Sequence, residues 1–188
     1  WLTLTAFLHS VMIQEKRDML KVWNLVLIGL AYALCLFGTF LTRSGVVQSV
    51  HSFTNAGWFG YIFLGYVATV TLAYFAALAR RVPQLRSPSQ LESMVSREAS
   101  FVVNNWLFLA LLVMVFWFTL HPVFSEALFD KRTTWGPHAY NLFGAPIGLA
   151  LLFLTGFGPL IAWRRATSTS LRRQFLVPGS VGLAVGIA

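Results

Sequence analysis

The four histidines, His9, His51, His121 and His138, are the residues of this chain best suited to chemistry. His9 lies inside the apolar run that opens with Trp1 and Leu2, at a depth of about 12 Å if that run is helical. An ionisable side chain so deep in an apolar segment is a candidate functional group. A neutral imidazole bonded to a neighbouring helix is the equally open alternative. His51 sits among Val46, Val47, Val50, Phe53, Trp58 and Phe59, while Val123, Phe124, Leu128, Phe129 and Trp135 lie between His121 and His138. These three have a plain reading as interfacial histidines without a ligand. The aromatic residues around them read as an interfacial belt or as the walls of an apolar site.

The surrounding residue types narrow the chemistry. Cys35 is the only cysteine, no His-x-x-x-His is present, and no carboxylates cluster near the histidines, which argues against zinc or a hydrolytic metal site. There is neither a glycine-rich phosphate loop nor a paired nucleophile and base. A neutral imidazole in an apolar, aromatic-walled setting is the ligand that haem iron uses. Arg43, on the same face as His51, suits the haem propionates. By composition alone a transporter would show the same ingredients.

The elements that position these residues follow from hydropathy. Hydrophobic residues make up 57% of the 188 and charged residues 11%, too few to solvate a globular surface. The expected fold class is all-α, a polytopic transmembrane helix bundle forming a single region over 1–188. Since a bilayer core of about 30 Å takes about 20 helical residues, the segments expected are 2–13, 22–41, 58–79, 101–120, 140–163 and 175–188. The first and last look incomplete, and the chain reads as part of a longer or multi-chain protein. Gly29, Gly38, Gly60 and Gly65 suggest close helix packing, and Pro146 and Pro159 suggest kinks in the fifth span. The stretch 82–100, with Leu85, Leu91, Met94 and Val95 among charges, suggests a surface-lying amphipathic helix.

A net charge of +8 could point to nucleic acid, but the basic residues flank the apolar spans. One side of the alternation collects Lys16, Arg17, Lys21, Arg80, Arg81, Arg86, Arg97, Arg164, Arg165, Arg172 and Arg173; the other has only Arg43, Lys131 and Arg132. This asymmetry is the positive-inside pattern. It makes loops 14–21, 80–100 and 164–174 cytoplasmic and loops 43–57 and 121–138 outward-facing. Membrane lipid is the expected partner and nucleic acid is not.

Two stretches carry a resemblance. Trp1-Leu2-Thr3-Leu4-Thr5-Ala6-Phe7-Leu8-His9-Ser10 resembles the segment that follows the tryptophan-rich WWD motif of the CcmF family of cytochrome c-type biogenesis proteins. Gly38-Thr39-Phe40-Leu41-Thr42-Arg43-Ser44-Gly45-Val46, followed by Ser49-Val50-His51-Ser52-Phe53, resembles that family's loop after the next span. Ser96-Arg97-Glu98, Asn104-Asn105 and Gly156-Phe157-Gly158-Pro159-Leu160 fit as well, as does the separation of His9 from His51. The likeness runs from Trp1 to about Arg173.

The resemblance implies a part in a haem lyase, which joins haem by thioether bonds to the Cys-x-x-Cys-His motif of apocytochrome c. It implies His9 as an axial ligand of a resident b-type haem and His51 as an outer ligand of the incoming haem, with Arg43 in the matching loop. Implied partners are a haem chaperone, apocytochrome c with its thiol-handling accessory proteins, and further segments carrying the WWD motif and the other two family histidines. The segment alone is not expected to be active. The location implied is a bacterial inner membrane with the outward loops periplasmic, or a mitochondrial inner membrane if organellar. The competing readings are a membrane transporter of haem or another apolar solute, and a ligand-free helical scaffold.

Overall fold

A computed structural model describes residues 1–45, 57–85, 87, 89, 91–161 and 167–187. The described residues form six α-helices and no strand: α1 (Leu2–Arg17), α2 (Lys21–Ser44), α3 (Trp58–Arg81), α4 (Arg97–Phe129), α5 (Pro137–Phe157) and α6 (Ser168–Ile187). Four helical stretches, Lys21–Ser44, Trp58–Leu85, Arg97–Phe129 and Pro137–Leu160, are long and apolar enough to cross a membrane. The all-α transmembrane architecture read from the hydropathy is the one found.

Helix starts and stops have local causes. α1 ends at Asp18, whose left-handed backbone (φ 54°) lets its N–H bond the Gln14 carbonyl. Leu20, also left-handed at φ 64°, turns the chain back into α2, and Lys21 closes the corner with a 2.7 Å ion pair to Asp18. Ser96 caps α4 by accepting from the Ala99 N–H at 3.1 Å. α5 begins with Pro137 at a position where the missing N–H costs nothing.

The helices pack in a row in which α1 is central, flanked by α2 and α4, with α3 outside α2 and α5 outside α4. α1 buries Thr3, Ala6, Ser10 and Ile13, a stripe at helical spacing. Small and polar residues there let neighbouring backbones approach, as membrane helices require. Long aromatic side chains bridge α2 and α4: Trp23 meets Trp106 at 5.5 Å and Phe37 meets Phe116 at 5.7 Å.

Three local expectations change. Of the four glycines, Gly29 alone is a tight contact: a Cβ there would lie 2.0 Å from Tyr74, whereas nothing lies within 4 Å of Gly38 or Gly65. Pro159 does not kink the fifth span; it sits in a 3₁₀ turn, Gly158–Leu160, that ends it. The described residues of 82–96 hold a 3₁₀ turn, Val82–Leu85, and no amphipathic helix. Prolines at 83 and 88 remove two backbone donors, and Glu92 and Ser87 are tied to the end of α1 instead, at Arg17 and at the Asp18 carbonyl.

Candidate functional site

His9 is the best-defined of the candidate residues. α4 presents Phe101, Asn104 and Phe108 to it, at i, i+3 and i+7 on one helix face. The imidazole enters between the two phenyl rings, with centroids 5.5 Å from Phe101 and 5.8 Å from Phe108 and planes within 10° and 16° of parallel. Asn104, midway between them, holds the ring edge: its amide nitrogen lies 2.9 Å from His9 Nδ1. His9 Nε2 has no partner among the described residues.

One residue along each helix, Asn105 donates to Ser10 Oγ, and both side chains are fully buried. A cleft of about 170 Å³ opens beside His9, between Asn104 on α4 and Leu151, Leu154 and Thr155 on α5. Its floor is the 3₁₀ turn at Gly158 and Pro159. Arg97 fixes that turn by donating from Nε to the Ile161 carbonyl at 3.1 Å and from its terminal nitrogen to the Pro159 carbonyl. Gly158 lets the turn lie on Ser100, whose Oγ would be 3.0 Å from an added Cβ.

At the base of α1, Arg17 pairs with Glu98 at 2.9 Å and with Glu92. Glu98 is fully buried, and its second oxygen has no hydrogen-bond partner among the described residues. This clamp and the Asn105–Ser10 bond set the register of α1 on α4, and hence the place of His9 between its two phenyl rings.

Arg43 stands exposed in the last turn of α2 and does not touch His9. The Gln14–Asn24 bond of 2.6 Å fixes the register between α1 and α2. Counted from it, Arg43 stands about 20 Å further along the bundle axis than His9. The same turn of α2 supplies Leu41 and Ser44 to an apolar cleft of about 450 Å³, closed by Tyr61 and Leu64 of α3 and by Leu120 and Phe124 of α4. That volume is in the range of small-molecule sites. His51 lies outside the described residues.

His121 belongs to α4, where its Nδ1 lies 3.2 Å from the Thr133 carbonyl and its ring contacts Trp117 and Trp135. It fastens the segment after α4. His138 is exposed in the first turn of α5. Among the described residues no three His, Cys, Asp or Glu side chains converge as a metal site.

The functional partners of His9 that sequence reasoning left without a role are Asn104, Phe101 and Phe108. Two adjacent asparagines within a 20-residue apolar run were the available signal, since an amide in a membrane span needs a partner.

The architecture defines a multi-pass α-helical membrane protein with a histidine packed between aromatic rings inside the bundle. No family model matches the chain. It is 38% identical to the cytochrome c-type biogenesis protein CycK of Bradyrhizobium diazoefficiens over 98% of its own length and 28% of that protein's. It is 35% identical to CcmF of Haemophilus influenzae over its whole length and 29% of that protein's. The solved structure of the cytochrome c haem lyase CcmF matches with a TM-score of 0.69 and 31% identity, over 97% of this chain and 26% of that one. Over nearly its whole length the chain is thus homologous to one region of the CcmF/CycK cytochrome c biogenesis proteins, and it spans under a third of the relatives it matches.

Proposed function

We propose that this chain is a segment of a CcmF-type haem lyase that binds haem through histidine, with His9 as the buried axial ligand of a resident b-type haem. The observation that carries the reading is the His9 slot. Two phenyl rings and an amide hold the imidazole by its faces and by Nδ1, and Nε2 has no partner among the described residues. Haem iron takes a neutral imidazole in an apolar surround, and Nε2 is the nitrogen open to it once the ring proton sits on Nδ1. The cleft of about 170 Å³ is below the 300–1,000 Å³ of usual cofactor pockets. The residues here therefore fit an axial-ligand wall, and the rest of the macrocycle pocket belongs to other segments of the protein, which also carry the WWD motif and the two remaining family histidines.

His51 is proposed as the outer ligand of incoming haem, with Arg43 available to a propionate. The separation of about 20 Å between His9 and Arg43 supports two haem positions rather than one, and the apolar cleft at the Arg43 end suits a flat hydrophobic ligand. Haem supplies vinyl groups, and the apocytochrome supplies the thiols that add across them. This chain's share is to hold and orient. The face bearing most of the basic residues is assigned to the cytoplasm and the Arg43 face to the periplasm of a bacterial inner membrane, where a haem chaperone and apocytochrome c would meet it.

The test is the oxidised and reduced absorption spectrum of the intact membrane complex. His9→Ala is expected to lose the b-type signal, and His51→Ala to lose capture of added haem while keeping that signal. Unchanged spectra in both variants would return the histidines to structural roles and favour a ligand-free scaffold. Transport of haem into liposomes that depends on either histidine would favour a transporter.

A further inference from the structure

We infer that Asn104 is the positioning residue of the haem ligand: it selects the tautomer of His9 and sets how strongly that imidazole donates to iron. This rests on the reading of His9 as an axial ligand.

The hydrogen bond between Asn104 and His9 Nδ1 is 2.9 Å long, and among the described residues it is the only hydrogen bond Asn104 makes. With the amide nitrogen towards Nδ1, the proton of a neutral imidazole resides on Nε2, and no lone pair is left for a metal. A half-turn of the amide about its terminal torsion exchanges nitrogen and oxygen with little change of shape. Oδ1 then accepts from Nδ1–H, and the Nε2 lone pair is free. Asparagine can serve either tautomer, and a leucine of similar size could serve neither. In the ligating tautomer the amide carbonyl withdraws the Nδ1 proton slightly and makes the imidazole a stronger donor, as partners of metal-bound histidines do.

A plain helix-to-helix adhesive is the competing account of Asn104. Two observations separate it from that role. Asn105–Ser10, one residue away, already joins the same two helices in a fully buried bond. Asn104, by contrast, lines the cleft together with His9. The rings of Phe101 and Phe108 prevent the imidazole from tilting to find another acceptor, so the tautomer depends on the one amide.

The test uses the full membrane complex with its haem and reads the midpoint potential and haem retention in Asn104→Leu, Asn104→Asp, Ser10→Ala and His9→Ala. Asn104→Leu is expected to weaken haem retention about tenfold or more and to raise the potential, because a weaker donor stabilises ferric iron less. Asn104→Asp, a stronger acceptor, is expected to shift the potential the other way. A tenfold change in the ferric-to-ferrous preference corresponds to about 59 mV for one electron. Ser10→Ala is expected to loosen the helices and leave the potential where it was.

If His9→Ala loses the haem signal while both Asn104 variants keep the wild-type potential, the positioning role is overturned and the ligand reading stands. If His9→Ala keeps the signal, the ligand reading fails, and this inference with it. Should Asn104→Leu fail to assemble, the potential of Asn104→Asp decides alone, and an unchanged or raised value refutes the inference.

Discussion

Replacing Gly29 by alanine should loosen the contact between α2 and α3, and the structure says by roughly how much. A Cβ at Gly29 would stand 2.0 Å from Tyr74 Cε1 and 2.7 and 2.8 Å from two further ring atoms. Carbon atoms rest at about 3.5–4.0 Å, so the ring has to withdraw by about 1.5 Å. Tyr74 is partly exposed and can swing, but its hydroxyl donates to the Leu25 carbonyl at 2.7 Å, and that bond is lost in the movement. An interhelical hydrogen bond in a membrane bundle is worth about 0.6 kcal/mol, up to about 1.7. An off-rotamer ring adds about 0.5–1.5 kcal/mol. The sum is about 1–3 kcal/mol for Gly29→Ala, against about 0.6–1.7 kcal/mol for Tyr74→Phe, which loses the bond alone. Thermal unfolding of the detergent-purified protein reads both. Combining Gly29→Ala with Tyr74→Ala gives a coupling: the tyrosine truncation should cost less by about 1 kcal/mol or more when alanine already occupies position 29. Gly38→Ala and Gly65→Ala, with nothing in reach of the new methyl, should stay within about 0.5 kcal/mol of wild type. A zero coupling between positions 29 and 74, or equal losses at positions 29 and 38, would refute the packing argument.

The clamp at the base of α1 should respond asymmetrically. Among the described residues Arg17 has two carboxylate partners, whereas Glu98, fully buried, has Arg17 alone. Arg17→Met strands a buried charge and should destabilise more than Glu98→Gln, and the double change Arg17→Met with Glu98→Met should recover part of that loss. Equal melting temperatures for the two single variants would contradict this. His121→Ala should free the segment 130–136, visible as faster proteolysis there, and leave the haem spectrum unchanged, because its partners are Thr133, Trp117 and Trp135. A changed spectrum would give His121 a role in binding.

The transmembrane organisation was legible because each apolar span carries its own evidence in length and flanking charge. Lys21–Ser44 and Trp58–Leu85 need no knowledge of their neighbours to be recognised. What escaped the sequence depends on pairs of residues far apart in the chain. His9 and Asn104 are 95 residues apart. Neither hydropathy nor spacing says that α1 docks on α4 rather than on α3, so the polar pair inside two apolar runs could not be joined from sequence. The glycines show the same limit: four looked alike, and only the ring of Tyr74 distinguishes Gly29. The surface helix expected over 82–100 failed for a different reason. Its apolar residues had the right composition, but prolines and a tie to Arg17 and Asp18 govern that segment.

The two candidate haem positions differ in what surrounds them. Where α1 meets α4, His9 is held beside a polar seam made by Asn104–His9, Asn105–Ser10 and the Arg17–Glu98 pair. Towards Arg43, Phe37 of α2 meets Phe116 of α4, and the apolar cleft opens beside them. One region offers amides that can fix a ring nitrogen, and the other is roomy and apolar. A resident cofactor needs the first kind of site, because a permanently bound ligand gains from a fixed tautomer and a fixed ring. A passing one needs the second, because it has to enter and leave.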